Sequence, residues 1–320
     1  MRQTAASAAL DRHIAECEAQ MRCLHASSRA EAKVIARRID EKQLTEVSPG
    51  LFARTPYWEK LKFRQKYLHQ VRALADKHPS WTFCSFTAAV VHGMAVSHKN
   101  LSRIHIAAPP TCTDTPSSNI KRHRYANSAQ TDELGLNVTP AEQTVVDCLL
   151  ETSFVEGLII ADSALRENLL PDTTLSDAIE RLGHRRRGIA TARLVATHAN
   201  GLSESGGESK ARALMIERGW MVPQLQVELA DPLEPERSYR VDYLWIVNRR
   251  LIIGEFDGRI KSEQAAVEGK LVGFLFDERQ RESRLSLYDN CKIVRLCWDD
   301  LNDPTMLDRK LELAGIPRNK

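Results

Sequence analysis

The stretch Tyr239–Lys261, YRVDYLWIVNRRLIIGEFDGRIK, constrains the fold of this chain more than any other. Two apolar runs flank Asn248-Arg249-Arg250, which reads as a tight turn, so the runs predict two strands paired as a hairpin. Asp242 lies in the first run, and Glu255 and Asp257 lie in the second. A hairpin brings these acids to the same end of a sheet. Acids inside strands are costly unless something pairs with them. A divalent cation suits that role, because Mg²⁺ takes one or two carboxylates together with water and phosphate oxygens. The stretch therefore points to metal-dependent chemistry on a phosphodiester.

A chain of 320 residues is comfortable for two or three domains. Hydrophobic residues at 42% and charged residues at 27% describe an ordinary globular protein and exclude a low-complexity or fibrous one. The formal net charge of +3 does not by itself argue for nucleic acid, so what matters is where the basic residues cluster. The seven cysteines are scattered, odd in number and contain no CxxC pair, so they read as reduced thiols. The start MRQTAASAALDRH lacks the apolar core of a signal peptide, and no apolar run approaches the ~18 residues of a membrane span. The expected setting is cytoplasmic, with no membrane partner.

Residues 5 to 43 read as helical almost throughout. Ala32, Val34, Ile35 and Ile39 share one face, with Lys33, Arg37 and Arg38 around the rest. Leu44–Val47, a Ser48-Pro49-Gly50 turn and Leu51–Arg54 follow as a two-stranded wing. Helix, helix, wing is the shape of a winged helix-turn-helix, with Arg37 and Arg38 as candidate DNA contacts; the other reading is a small helical cap with a hairpin. Further along, a charged helix over 56–78, a small-residue helix Phe86–Val96 containing a packed His92, a strand Arg103–Ala108 and a helix from Pro140 to Leu150 are expected. Two basic runs, Lys121–Tyr125 and His184–Arg187, suit phosphate contact or a solvated surface equally. Helical pattern resumes from Glu156, and the Gly/Ser-rich NGLSESGG at 200–207 reads as a linker. The expected division is 1–80 winged-helix-like, 81–199 a mostly helical α/β middle, and 203–320 a C-terminal α/β domain.

In that last part the expected order is helix (Glu208–Gly219), strand (Gln224–Leu229), the two hairpin strands, a polar segment (Ile260–Lys270), an Arg/Glu-rich helix (Phe274–Tyr288), strand (Lys292–Trp298) and a short helix near Met306–Ala314. Carried by GGESKAR, RVDYLW, IIGEFDG, ERQRESRL and IVRLCWDDL, residues 203–301 resemble the PD-(D/E)XK nucleases, in the branch related to very-short-patch-repair endonucleases. The first two hundred residues resemble AbiEi-type antitoxin proteins, through SPGLFAR, FTAAVVHGM, NVTPAEQTVVDCL and ADSALRENLL. The resemblances imply a restriction-endonuclease-like αβββαβ core, DNA as partner, Mg²⁺ or Mn²⁺ as cofactor, and a defence or toxin–antitoxin-like context with a possible toxin partner.

Residue by residue, the nuclease family's first-helix acid falls on Glu208, its metal-binding aspartate on Asp242 and its second-strand acid on Glu255. The lysine of its E-x-K element falls on position 257, where this chain carries Asp257; Lys261 is the nearest alternative cation. The expected metal ligands are Asp242, Glu255 and Asp257. Arg279, Arg281 and Arg284 would hold the DNA backbone, or form a solvated helix face with Glu278 and Glu282. The expected activity is Mg²⁺-dependent DNA cleavage; the alternative is a DNA-binding regulator or antitoxin whose nuclease-like domain does not cut.

Overall fold

A computed structural model of the chain describes residues 4–112, 119–125, 129–170, 174–257 and 271–319. The protein is mixed α/β and divides into two compact units, Met1–Cys148 and Leu149–Lys320. The Gly/Ser-rich stretch at 200–207 lies inside the second unit, which also includes the helices that precede it.

The first unit opens with α1 (Ala5–Ala19) and α2 (Arg29–Asp40), whose ends are fixed by their caps: Thr4 Oγ1 accepts the Ser7 N–H, and Ser28 Oγ accepts the Glu31 N–H. The helical run over 5–43 is interrupted between them at residues 20–28. Met21 adopts a left-handed φ of 51°, and Leu24 then pairs its backbone with Phe52. That bridge extends the antiparallel pair β1 (Leu44–Ser48) and β2 (Leu51–Arg54), joined by Pro49-Gly50 with Gly50 at φ 72°. Leu10, Ile14, Cys17, Leu24, Ile35 and Leu44 form the core beneath. Arg38 points into this core and not into solvent: it pairs with Asp11 and its Nη2 donates to Ser7 Oγ at 2.7 Å. Arg37 remains on the exposed face, 3.6 Å from Glu41.

The chain continues through α3 (Thr55–Lys60), α4 (Phe63–Lys77) and α5 (Ser85–Val91). The basic run at 121–124 belongs to β4 (Ile120–Arg124), parallel to β3 (Ile104–Ala108). A short hairpin, β5 (Thr131–Glu133) and β6 (Leu136–Val138), precedes α6 (Ala141–Leu150); fully buried Phe83 bridges to both Ile106 and Val138. His92 is packed, its Nε2 2.8 Å from the Thr139 carbonyl.

The second unit begins with α7 (Phe154–Arg166), α8 (Leu175–Gly183) and α9 (Ile189–His198), then α10 (Gly206–Glu217). Strands β7 (Gln224–Ala230), β8 (Ser238–Val247) and β9 (Arg250–Asp257) follow, then α11 (Leu271–Leu285), β10 (Cys291–Cys297), α12 (Trp298–Asn302) and α13 (Pro304–Ala314). The sheet order is β10-β9-β8-β7, antiparallel except for the parallel β9–β10 edge. Two cores sandwich it. Ala211, Leu214 and Met215 of α10 pack with Tyr243, Trp245, Ile252 and Leu296 on one face; Leu285 of α11 packs with Val241, Leu244 and Ile253 on the other. Gly254 is demanded by this packing, because a Cβ there would meet Trp245 Cζ3 at 2.8 Å.

Asp162 of α7 and Arg212 of α10 are both buried and joined by two hydrogen bonds of 2.8 Å, which ties the helical layer to α10. Among the described residues no helix is long and apolar enough to cross a membrane.

Candidate functional site

The hairpin turn is two residues long. Asn248 and Arg249 take φ values of 50° and 64°, the left-handed pair that matches the twist of flanking strands, and Val247 faces Arg250. Pairing runs back from the turn only as far as Tyr243 and Gly254. Beyond that point β8 continues along β7 to Ser238, and β9 continues along β10 to Asp257. The sheet forks here, and the acids sit at the fork. Asp242 occupies the position where the next rung would be, and its Oδ2 accepts the Phe256 N–H at 2.8 Å. A carboxylate therefore takes the hydrogen bond that a strand would otherwise have provided.

Opposite Asp242 on the β7 side stands Gln226. It has a left-handed φ of 51° and drops out of the β7–β8 register between Leu225 and Val227. Its side-chain amide lies 3.2 Å from Glu208 Oε2 and 3.3 Å from Asp242 Oδ1, bridging the two acids. Glu208 itself closes the start of α10. Its Oε1 accepts from Ser205 Oγ at 2.8 Å, its Oε2 accepts the Glu204 N–H at 2.8 Å, and Ser205 Oγ accepts the Glu208 N–H. Gly207 lets this turn sit against the sheet: a Cβ there would meet Phe256 Cε1 at 2.2 Å.

Glu255 projects from β9 toward α11, where Arg281 Nη2 donates to its Oε1 at 2.8 Å and to the Arg240 carbonyl at 2.5 Å. Burial pushes the Glu255 carboxyl up, Arg281 opposes this, and the neighbouring Asp242 charge adds to it; the outcome is a pKa raised from 4.5 to about 7. Glu208 is also raised, first by burial and then by Asp242, against its own Glu204 and Ser205 hydrogen bonds. The Asp242 charge on β8 thus bears on both Glu208 of α10 and Glu255 of β9.

Asp257 lies apart from this group. It is exposed and pairs with Arg295 of β10 at 2.7 Å, and Arg295 also reaches Glu282 and Glu278 of α11. Arg284 pairs with Asp231 and Glu234, while Arg279 is exposed. Lys261, Gly258 and the polar segment at 260–270 lie outside the described residues. Among the described residues no group of three or more His, Cys, Asp or Glu is arranged to hold a metal ion.

For a divalent cation the donor set divides. Asp242 and Glu255 fit, as adjacent hard oxygen donors whose mutual repulsion a cation would relieve. Asp257 lies apart from them, exposed and paired with Arg295 of β10. Gln226, Arg281 and Arg295 were not singled out as neighbours of the acids by the sequence pattern. A signal for one was present: Arg295 stands inside the apolar strand KIVRLCW, as anomalous there as an acid.

No family model matches this chain, and no solved structure matches it. Similarity is found to two curated proteins of Mycobacterium tuberculosis, from strains CDC 1551 / Oshkosh and ATCC 25618 / H37Rv, each described as an uncharacterized protein. Each is 29% identical over 163 residues, which cover 51% of this chain and 58% of the relative. The chain therefore spans less than two thirds of the length of the curated relatives it matches.

Proposed function

We propose that the second unit is a metal-dependent DNA endonuclease of the PD-(D/E)XK type in a cytoplasmic protein, and that the first unit contacts DNA through a winged-helix-like face. The convergence of Glu208, Asp242 and Glu255 at the fork carries the nuclease reading: burial and the Asp242 charge raise the carboxyls of Glu208 and Glu255, a pattern that clusters at sites of chemistry or ligand binding. The run of helix, three strands, helix and strand, with β9 parallel to β10, supports it. Asp242 and Glu255 would hold Mg²⁺ or Mn²⁺. When bound, such an ion supplies charge relief at the scissile phosphate and a more acidic water. Gln226 fixes the separation of Glu208 and Asp242, and the Phe256 N–H orients the Asp242 carboxylate. Arg281 offers a fixed positive charge beside Glu255, of the kind that a phosphate would need. On the first unit, two helices, a two-residue-turn wing and the exposed Arg37 support the DNA contact; Arg38 takes no part in it.

A second reading, a DNA-binding regulator or antitoxin whose nuclease-like unit does not cut, is favoured by the Asp257–Arg295 pair, which occupies the position of the E-x-K lysine with an acid already neutralised. Calorimetric titration of Mg²⁺ and Mn²⁺ into the full chain and into Asp242→Asn, run beside nicking of supercoiled, linear and mismatched DNA, separates the two. Metal binding lost in Asp242→Asn together with cleavage by the wild type supports the endonuclease. Intact DNA in every assay, with binding of duplex retained, supports the regulator.

A further inference from the structure

In the first unit, two large apolar side chains stand in solvent on backbone that suits neither. Leu134 and Gly135 close the β5–β6 hairpin with φ values of 55° and 73°, a two-residue turn that ordinarily takes Asn-Gly or Asp-Gly. Met21 follows α1 at φ 51°. Its N–H donates to the Glu18 carbonyl and the Arg22 N–H donates to the Cys17 carbonyl, a helix ending that ordinarily takes glycine. Leu134 is 59% exposed and Met21 52%. Left-handed backbone is costly under a side chain with a Cβ, and a leucine or methionine left in water gains nothing in return. Asparagine or glycine would serve both turns better. Both residues line one cleft of about 730 Å³, together with Arg72, Ala75, Pro79 and Trp81. His78 stacks on Trp81, with ring centroids 4.0 Å apart at 11°, and so fixes that wall.

The charges at the cleft indicate what fills it. Arg22 and Asp76 neutralise each other at 3.2 Å. Arg72 of α4 donates to the Met21 carbonyl at 3.3 Å, and Asp132 accepts the Gly135 N–H at 3.2 Å. Neither Arg72 nor Asp132 forms an ion pair among the described residues. Asp132 is exposed and pairs across the hairpin with Asn137, which lines the same cleft. A cleft for a strongly acidic or strongly basic partner would present one sign of charge. This one presents a cation on its helical wall and an acid beside its protruding apolar turn. Knob and hole, cation and acid, all lie at one cleft, which is what a two-fold interface needs, since there each patch meets its own copy. We propose that the chain pairs with a second copy through this cleft. The Leu134 turn of each protomer enters the cleft of the other, and Asp132 of each meets Arg72 of the other. Exposed apolar surface and single charges are then covered together. This pairing does not depend on what the second unit does.

The test is sedimentation velocity on the full chain over about a hundredfold range of concentration, with circular dichroism and thermal melting on every variant. The wild type is expected to pass from one chain per particle to two as the concentration rises. Leu134→Asn and Met21→Asn are each expected to weaken dimerisation by about tenfold or more. Their dilute monomers should melt no lower than the dilute wild type, because asparagine suits both turns. A side chain kept for the fold alone would show the reverse, a lower melting temperature with association unchanged. Arg72→Asp and Asp132→Arg should each weaken the dimer alone, and an equal mixture of the two should restore it, because in the mixed pair each reversed charge meets its opposite. Wild type that stays a monomer throughout overturns the proposal and leaves the cleft to a different protein. A dimer that Leu134→Asn and Met21→Asn leave unchanged lies elsewhere on the chain and overturns it as well. So does a mixture of the two charge variants that associates no better than either alone.

Discussion

Two of the places where the second unit buries charge do so on opposite terms. Asp162 and Arg212 form a neutral pair, one acid against one guanidinium, with the Asn200 N–H donating to Asp162 and Arg212 donating to the His198 carbonyl. The fork brings Glu208, Asp242 and Glu255 near one guanidinium, Arg281, and so keeps an excess of negative charge. Both groups include a residue of α10, and both are largely buried. The difference teaches how to tell a fastener from a site. Balanced charge holds α7 to α10, whereas unbalanced buried charge lowers stability.

The comparison can be broken by mutation. Asp162→Ala leaves Arg212 buried without its counter-charge and is expected to lower the unfolding free energy by about 3–5 kcal/mol in urea titration. A loss under about 1 kcal/mol would mean that water or a rearranged partner already serves Arg212, and the contrast with the fork would fall. Glu255→Gln should act in the opposite direction. A carboxyl raised from 4.5 to about 7 favours the protonated folded state, so its contribution to stability is full below pH 4.5 and is lost as the pH rises toward 7. The glutamine variant should therefore be more stable than wild type at pH 8, by about 1–3 kcal/mol, and equal to it at pH 4. Added Mg²⁺ should narrow that gap at pH 8 by stabilising the wild type alone.

Asp308 supplies the reverse pH signature in the same unit. Arg218 holds its carboxyl below the usual range, against some desolvation and with help from Trp220 and Arg318. Its stabilisation is present above the unfolded carboxyl pKa and disappears as the pH falls through the folded one. Asp308→Asn is expected to cost about 1–2 kcal/mol at neutral pH and little in acid, read from thermal melts across the range. The smallest effect belongs to Asp257→Asn. Its partner Arg295 keeps Glu278 and Glu282, and the pair is exposed, so a change of about 0.5 kcal/mol or less is expected, along with unaltered metal binding by calorimetry. Lost metal binding in that variant would return Asp257 to the ligand set.

The sequence pattern located the hairpin because two independent signals agreed there, the apolar runs and a short polar turn between them. It placed Asp242 and Glu255 correctly at one end because both lie the same distance from that turn. It could not show that the ladder stops at Tyr243 and Gly254, or that Gln226 beside it takes a left-handed backbone, because neither carries a compositional mark. The orientation of Asp257 depended on Arg295, thirty-eight positions away in sequence, and no local period reports such a pairing. Arg38 misled for a related reason: a charged residue on an amphipathic helix reads as exposed until a distant acid, here Asp11, allows it to turn inward.

The two-residue turn at Asn248 and Arg249 also sets an order of events. Closing it requires only a short local loop, whereas β10 reaches β9 through a crossover of more than thirty residues. Local pairings form before distant ones, so Asp242 and Glu255 meet before α11 delivers Arg281 or β10 delivers Arg295. The early hairpin carries facing acids with no cation to offset them. Refolding should therefore quicken when the pH is lowered toward the carboxyl range or when salt is added, while the unfolding rate, governed by a state in which the arginines are already seated, changes less.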